Sequence, residues 1–141
     1  MSGLLRAGAD LAFHHVGVAC ADIGIEAARL SPLGYVAEGL EFTDAKQGVR
    51  GVFLTGQAPR LELLESLAGA ENGVLTPWLA QEIKLYHLAY ETRSLTRAID
   101  RLRGECAKLI VPPVAAVAFN GREIAFLMLR NRMLVELIAL E

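Results

Sequence analysis

Residues 13–35 read FHHVGVACADIGIEAARLSPLGY, and residues 85–107 read LYHLAYETRSLTRAIDRLRGECA. Each is a β-rich stretch carrying a histidine, then a polar break, then a helical stretch ending at or near glycine. A second pair of stretches lies downstream of the first. Residues 51–67 read GVFLTGQAPRLELLESL and residues 124–140 read IAFLMLRNRMLVELIAL. Each has an apolar strand with Phe-Leu, a turn, and a strand with a glutamate inside it. The offsets agree: His15 and His87 are 72 residues apart, Glu62 and Glu136 are 74 apart. Repetition at such a period sets the architecture before any single element does. The chain reads as two copies of one β-α-β-β-β unit within a single domain, 1–141. Repeat 1 covers about 12–67, a linker 68–83, and repeat 2 about 84–141. The expected fold class is α+β, a curved mixed sheet built from two βαβββ repeats around a metal site.

Local signals place the elements. Strands are expected over about 12–19, 35–42, 49–55 and 60–66 in the first copy. A helix over about 22–31 has Asp22 as N-cap and Gly34 past its end. A short helix near 76–82 begins with Pro77, which suits a first helical turn. In the second copy, a strand over about 84–90 precedes a helix over about 94–104. Ser94 is its expected cap, and Leu95, Ile99 and Leu102 form its apolar stripe. A strand within 107–119 is interrupted by Pro112-Pro113, and Asn120-Gly121 predicts a two-residue hairpin turn. Strands over about 122–129 and 133–139 follow, joined by a tight turn at Asn131.

Composition narrows the function classes. A hydrophobic share of 53% suits a packed domain with surplus apolar area for a subunit interface. No apolar run approaches the roughly 18–20 residues of a spanning helix. The opening MSGLLRAGADLAF has one arginine, a short apolar patch and no cleavage site, so it does not read as a signal peptide. A net charge of −2 without a basic tract argues against nucleic acid or an anionic membrane as partner. Cys20 and Cys106 form no CxxC and are expected as two buried, reduced thiols in a cytoplasmic protein.

Glu136 raises the chemical question. Alternation in LVELIA (134–139) puts it on one face with Leu134 and Ile138. A buried carboxylate without a partner costs several kcal/mol or changes its protonation. Glu136 therefore escapes at an open edge or meets an arginine, a lysine, a proton or a metal. In the first strands, His15 shares a face with Phe13 and Gly17, and His87 with Leu85 and Ala89. Glu62 goes with Leu64. Each copy offers one imidazole and one carboxylate. If the copies pair about a pseudo-twofold axis, His15, Glu62, His87 and Glu136 form a ligand set for Zn, Ni, Co, Mn or Fe. Such a set leaves positions open for water and substrate. The structural alternatives are a hydrogen-bonded core histidine and a glutamate paired with Arg50, Arg60, Arg122, Arg130 or Arg132. His14 and Glu65 face the opposite way and are read as structural.

FHHVGVACAD resembles the HxGxxxxD opening of the vicinal oxygen chelate superfamily, also called the glyoxalase/bleomycin-resistance/dioxygenase fold. QGVRGVFL, RLELLESL and TPWLAQE resemble the middle of methylmalonyl-CoA epimerases; YHLAYET, EIAFL and LVELIALE resemble their second half. The ending also resembles that of glyoxalase-like proteins. The resemblance implies His15, His87 and Glu136 as metal ligands, with Glu62 where glyoxalase I has a carboxylate ligand. Gly51 falls where some epimerases have a glutamate base, and the Gly-rich tract and His-Pro-Lys turn are missing. The implied activity is that of a metal-dependent isomerase or epimerase, with Glu136 and Glu62 as proton carriers. It would act through an enolate on a small thioester or carbonyl substrate. Glyoxalase I (lactoylglutathione lyase) is the nearest alternative. An Fe(II) dioxygenase and a non-enzymatic ligand-binding or resistance protein are further ones. The resemblance also suggests a homodimer.

Overall fold

The computed structural model describes residues 10–69 and 73–141. The opening segment 1–9, where no signal peptide was expected, and linker residues 70–72 lie outside the described residues. The chain divides into two compact units. One is His15–Tyr86; the other combines 10–14 with His87–Glu141.

The His15–Tyr86 unit is built from most of β1 (Leu11–Ala19), α1 (Ile23–Leu30), β2 (Val36–Asp44), β3 (Val49–Thr55), β4 (Leu61–Ser66) and α2 (Thr76–Ala80). Its strands run in the order β2-β3-β4-β1. β1 pairs β4 in parallel, and β3 pairs both β2 and β4 antiparallel. Two carboxylates fix the start of α1. Asp22 accepts from the backbone N–H of Ile25 and Glu65 from that of Ile23, both at 2.9 Å. Both groups satisfy N–H donors that have no partner inside the helix, and their charge suits the helix dipole. A 3-10 turn, Ser31–Leu33, follows, and Gly34 takes φ +104, where a side chain is disfavoured. β2 is the edge strand. A bulge lies between Glu38 and Phe42, and Leu40 there is 92% exposed.

The second unit repeats the plan. β5 (Leu85–Thr92) supplies His87 onward, followed by α3 (Leu95–Gly104), β6 (Lys108–Ala115), β7 (Glu123–Met128) and β8 (Leu134–Ala139). The order is β5-β8-β7-β6, with β5–β8 parallel and β7 antiparallel to both β8 and β6. In each repeat the first strand lies beside the last. α3 buries Leu95, Ala98 and Ile99 against Ala125, Leu127, Val135 and Leu137, with Leu102 packed alongside. This is the expected stripe, widened by one alanine. Ser94 caps the helix through the backbone N–H of Arg97. The eight strands among the described residues and the repeated βαβββ order bear out the α+β, mixed-sheet reading.

Three expectations need correction. β6 is not cut by Pro112-Pro113; it runs through them as an edge strand. Register shifts between Leu109 and Val114 absorb the missing donors. Asn120-Gly121 does not make a two-residue hairpin. A 3-10 turn, Val117–Phe119, comes first, and the left-handed pair Asn120 and Gly121 then returns the chain, with Arg122 N–H bonded to the Phe119 carbonyl. Finally, Cys106 is exposed, although Cys20 is buried and both thiols are free. Cys106 takes φ +69 just past the end of α3.

Among the described residues, no helix is long and apolar enough to cross a membrane.

Candidate functional site

Glu62 and Glu136 are both buried, each 4% exposed, so neither escapes at an open edge. Their surroundings follow from strand register. In the His15–Tyr86 unit, parallel pairing sets Glu62 beside Gly17, and antiparallel pairing sets it beside Phe53. His15, two residues before Gly17, shares that face. In the other unit, Glu136 lies beside Ala89 on one neighbour and Phe126 on the other. His87 is two residues before Ala89. The small residue on one flank leaves the carboxylate room to lean toward the histidine.

The distances match this placement. His15 Nε2 lies 3.1 Å from Glu62 Oε1. His87 Nε2 lies 3.2 Å from Glu136 Oε1. Both histidines are as buried as the carboxylates. Two of the arginines weighed as alternative partners are engaged with other acids. Arg122 donates to Glu91 at 3.0 Å and to the Ala139 carbonyl at 3.1 Å. Arg60 approaches Glu38 at 3.6 Å.

One further residue stands against each pair. The rings of His15 and Phe53 stand edge-to-face, 5.2 Å between centroids and 80° between planes. His87 and Phe126 have the same 5.2 Å and 80°. The sequence reading noted the repeated Phe-Leu but gave it no role. The signal was present: Phe53 and Phe126 are 73 residues apart, between the histidine and glutamate offsets. The two residues read as structural make structural contacts. His14 packs edge-to-face on Phe119 at 5.6 Å, and Glu65 caps α1.

The donor types fit a divalent metal. Imidazole nitrogen and carboxylate oxygen both bind such ions at about 2.0–2.2 Å. Two donors held by one ion, at angles between octahedral and tetrahedral, are then about 3.0–3.4 Å apart. The separations within both pairs fall in that range.

Comparison with known proteins agrees with the architecture. The family model described as glyoxalase/bleomycin resistance protein/dioxygenase superfamily matches residues 14–126. The chain belongs to that superfamily. Methylmalonyl-CoA epimerase from Mycobacterium tuberculosis is similar at 23% identity and TM-score 0.75, over 90% of this chain and 86% of that one. A hypothetical protein from Bacillus halodurans is similar at 22% identity and TM-score 0.77, over 93% and 95%. A variant of Streptomyces coelicolor methylmalonyl-CoA epimerase, in complex with 2-nitronate-propionyl-CoA, is similar at 24% and 0.75, over 90% and 95%. At such identities these likenesses concern the fold. Comparison with curated proteins finds no match.

Proposed function

We propose that His15, Glu62, His87 and Glu136 together hold one divalent metal ion, and that the protein is a metal-dependent isomerase or epimerase. The carrying observation is the recurrence of one buried His–Glu pair, at 3.1 and 3.2 Å, at equivalent strand positions of both repeats. A lone pair of this kind is an ordinary core hydrogen bond. Two, placed by the same register on the equivalent two strands of each repeat, are better explained by a shared task.

A bound divalent ion supplies Lewis acidity, stabilising the negative charge that develops on a substrate carbonyl oxygen. The chain's own part is proton transfer. Glu136 or Glu62 removes the proton from the carbon beside the carbonyl, and the other carboxylate returns one. The substrate class is a small thioester or related carbonyl compound. The fold likeness to enzymes described as methylmalonyl-CoA epimerases supports this class. A glyoxalase I-type reaction, in which the proton moves to the neighbouring carbon, is the second reading. A carboxylate at Glu62, facing His15, favours it.

Elemental analysis of the purified protein should find a divalent metal. With methylmalonyl-CoA or the methylglyoxal–glutathione adduct in D2O, the wild type should incorporate deuterium at the substrate carbon. Glu136→Gln should slow this at least about 100-fold, the usual scale of a lost general base. Unchanged exchange would remove Glu136 from the mechanism.

A further inference from the structure

We infer that Phe53 and Phe126 are positioning residues for the two imidazoles, each holding its histidine so that Nε2 stays aimed at the carboxylate of its own repeat. The inference rests on the metal reading above and adds to it the groups that preorganise the site.

A histidine on a strand has two side-chain torsions to fix. Its χ2 is a broad, roughly two-fold torsion with little preference of its own. Something packed against the ring must choose between the Nε2 edge and the carbon edge. In both repeats a phenylalanine occupies that place, with the same 5.2 Å separation and the same 80° angle. Register explains why. Phe53 is the direct cross-strand neighbour of Glu62, and Phe126 of Glu136. The glutamate is thus flanked by a large flat ring on one side and by Gly17 or Ala89 on the other. The ring blocks one direction and the small residue opens the other, so imidazole and carboxylate are driven together. An edge-to-face aromatic pair also has a directional preference that an aliphatic side chain of similar size lacks. Packing bulk alone would not demand the same angle twice.

The two positions differ in burial. Phe126 is 4% exposed, whereas Phe53 is half-buried and lies 6.0 Å from the Phe42 ring. Phe53 can therefore be altered with less risk to folding, and Phe126 is the more rigid of the two supports.

The test compares Phe53→Leu and Phe126→Leu with Phe53→Tyr and Phe126→Tyr, the wild type measured in parallel. Leucine keeps apolar bulk and removes the ring; tyrosine keeps the ring. Metal-free protein is titrated with Co2+, reading the dissociation constant and the visible absorption spectrum. NMR of the imidazoles in metal-free protein reads ring mobility. Each leucine variant should bind Co2+ about 10-fold more weakly or worse, the scale seen when a group orienting a ligand is lost. Its spectrum should change and its imidazole should become more mobile, while tyrosine restores all three. Leucine variants with wild-type affinity, spectrum and ring mobility would overturn the inference. If Phe126→Leu does not fold, Phe53→Leu decides. Absence of Co2+ binding by the wild type would defeat the metal reading instead, and ring mobility would still decide whether the phenylalanines hold the imidazoles.

Discussion

Glu136 shows what a single residue can and cannot disclose. In LVELIA it stands out as a carboxylate among apolar side chains, and alternation assigns its face. Its partner, His87, lies 49 residues away in the chain, so only strand pairing brings the two within 3.2 Å. The cysteines make the same point in reverse. Cysteine is among the most often buried residue types, so two buried thiols were the natural expectation. Cys20 meets it: burial pushes its thiol up to about 12 from 9.0, and the thiol donates to the Leu64 carbonyl. Cys106, just past the end of α3, is exposed. In native protein at pH 8, iodoacetamide should therefore label Cys106 and leave Cys20 untouched until denaturant is added, as peptide mass mapping would show. The raised thiol also has a sign for stability. Above pH 9.0 the unfolded chain loses the Cys20 proton while the folded one keeps it, so folding weakens as pH rises toward about 12. Cys20→Ala should flatten that alkaline slope.

At the scale of elements, periodicity and caps were legible. Asp22 and Ser94 cap the helices they were assigned to. The end of α3 was legible only in part. The backbone N–H of Ala107 bonds to the Leu102 carbonyl, and that of Cys106 to the Arg103 carbonyl. This is the Schellman pattern, with Cys106 in the left-handed position that glycine usually fills. The nearby Gly104 is instead the last residue of the helix. A left-handed conformation costs a residue with a Cβ roughly 1–2 kcal/mol. Cys106→Gly should recover about 1 kcal/mol after the added flexibility of the unfolded chain is counted. A thermal melt should shift up by about 2–5 °C. The β6–β7 connection was misread for a related reason. Asn120 and Gly121 do have the positive φ values that a tight turn needs. What precedes them is a 3-10 turn and not a strand, and a dipeptide signal cannot report how its flanks pair.

At the scale of the whole molecule, the proposal makes each repeat incomplete as a metal site: two ligands come from one unit and two from the other. Binding that requires both should stabilise the folded chain by mass action, about 2.7 kcal/mol at a free-metal concentration 100 times the dissociation constant. Adding Zn2+ or Co2+ to chelator-treated protein should raise the melting temperature. His15→Ala and His87→Ala should each remove that rise, though they alter different units. A rise that survives either substitution would mean that the two pairs do not share an ion. By itself the sequence determined the repeat, the order of elements, and which histidine and glutamate stand at matching places in the two copies. Those follow from spacing and periodicity, which are properties of neighbouring residues. Only the tertiary structure decided that each glutamate faces its own histidine, that Phe53 and Phe126 stand against the imidazoles, and that Gly17 and Ala89 leave the space between. Those contacts are set by register between strands distant in the chain, where a shift of one residue would turn every one of these side chains to the opposite face.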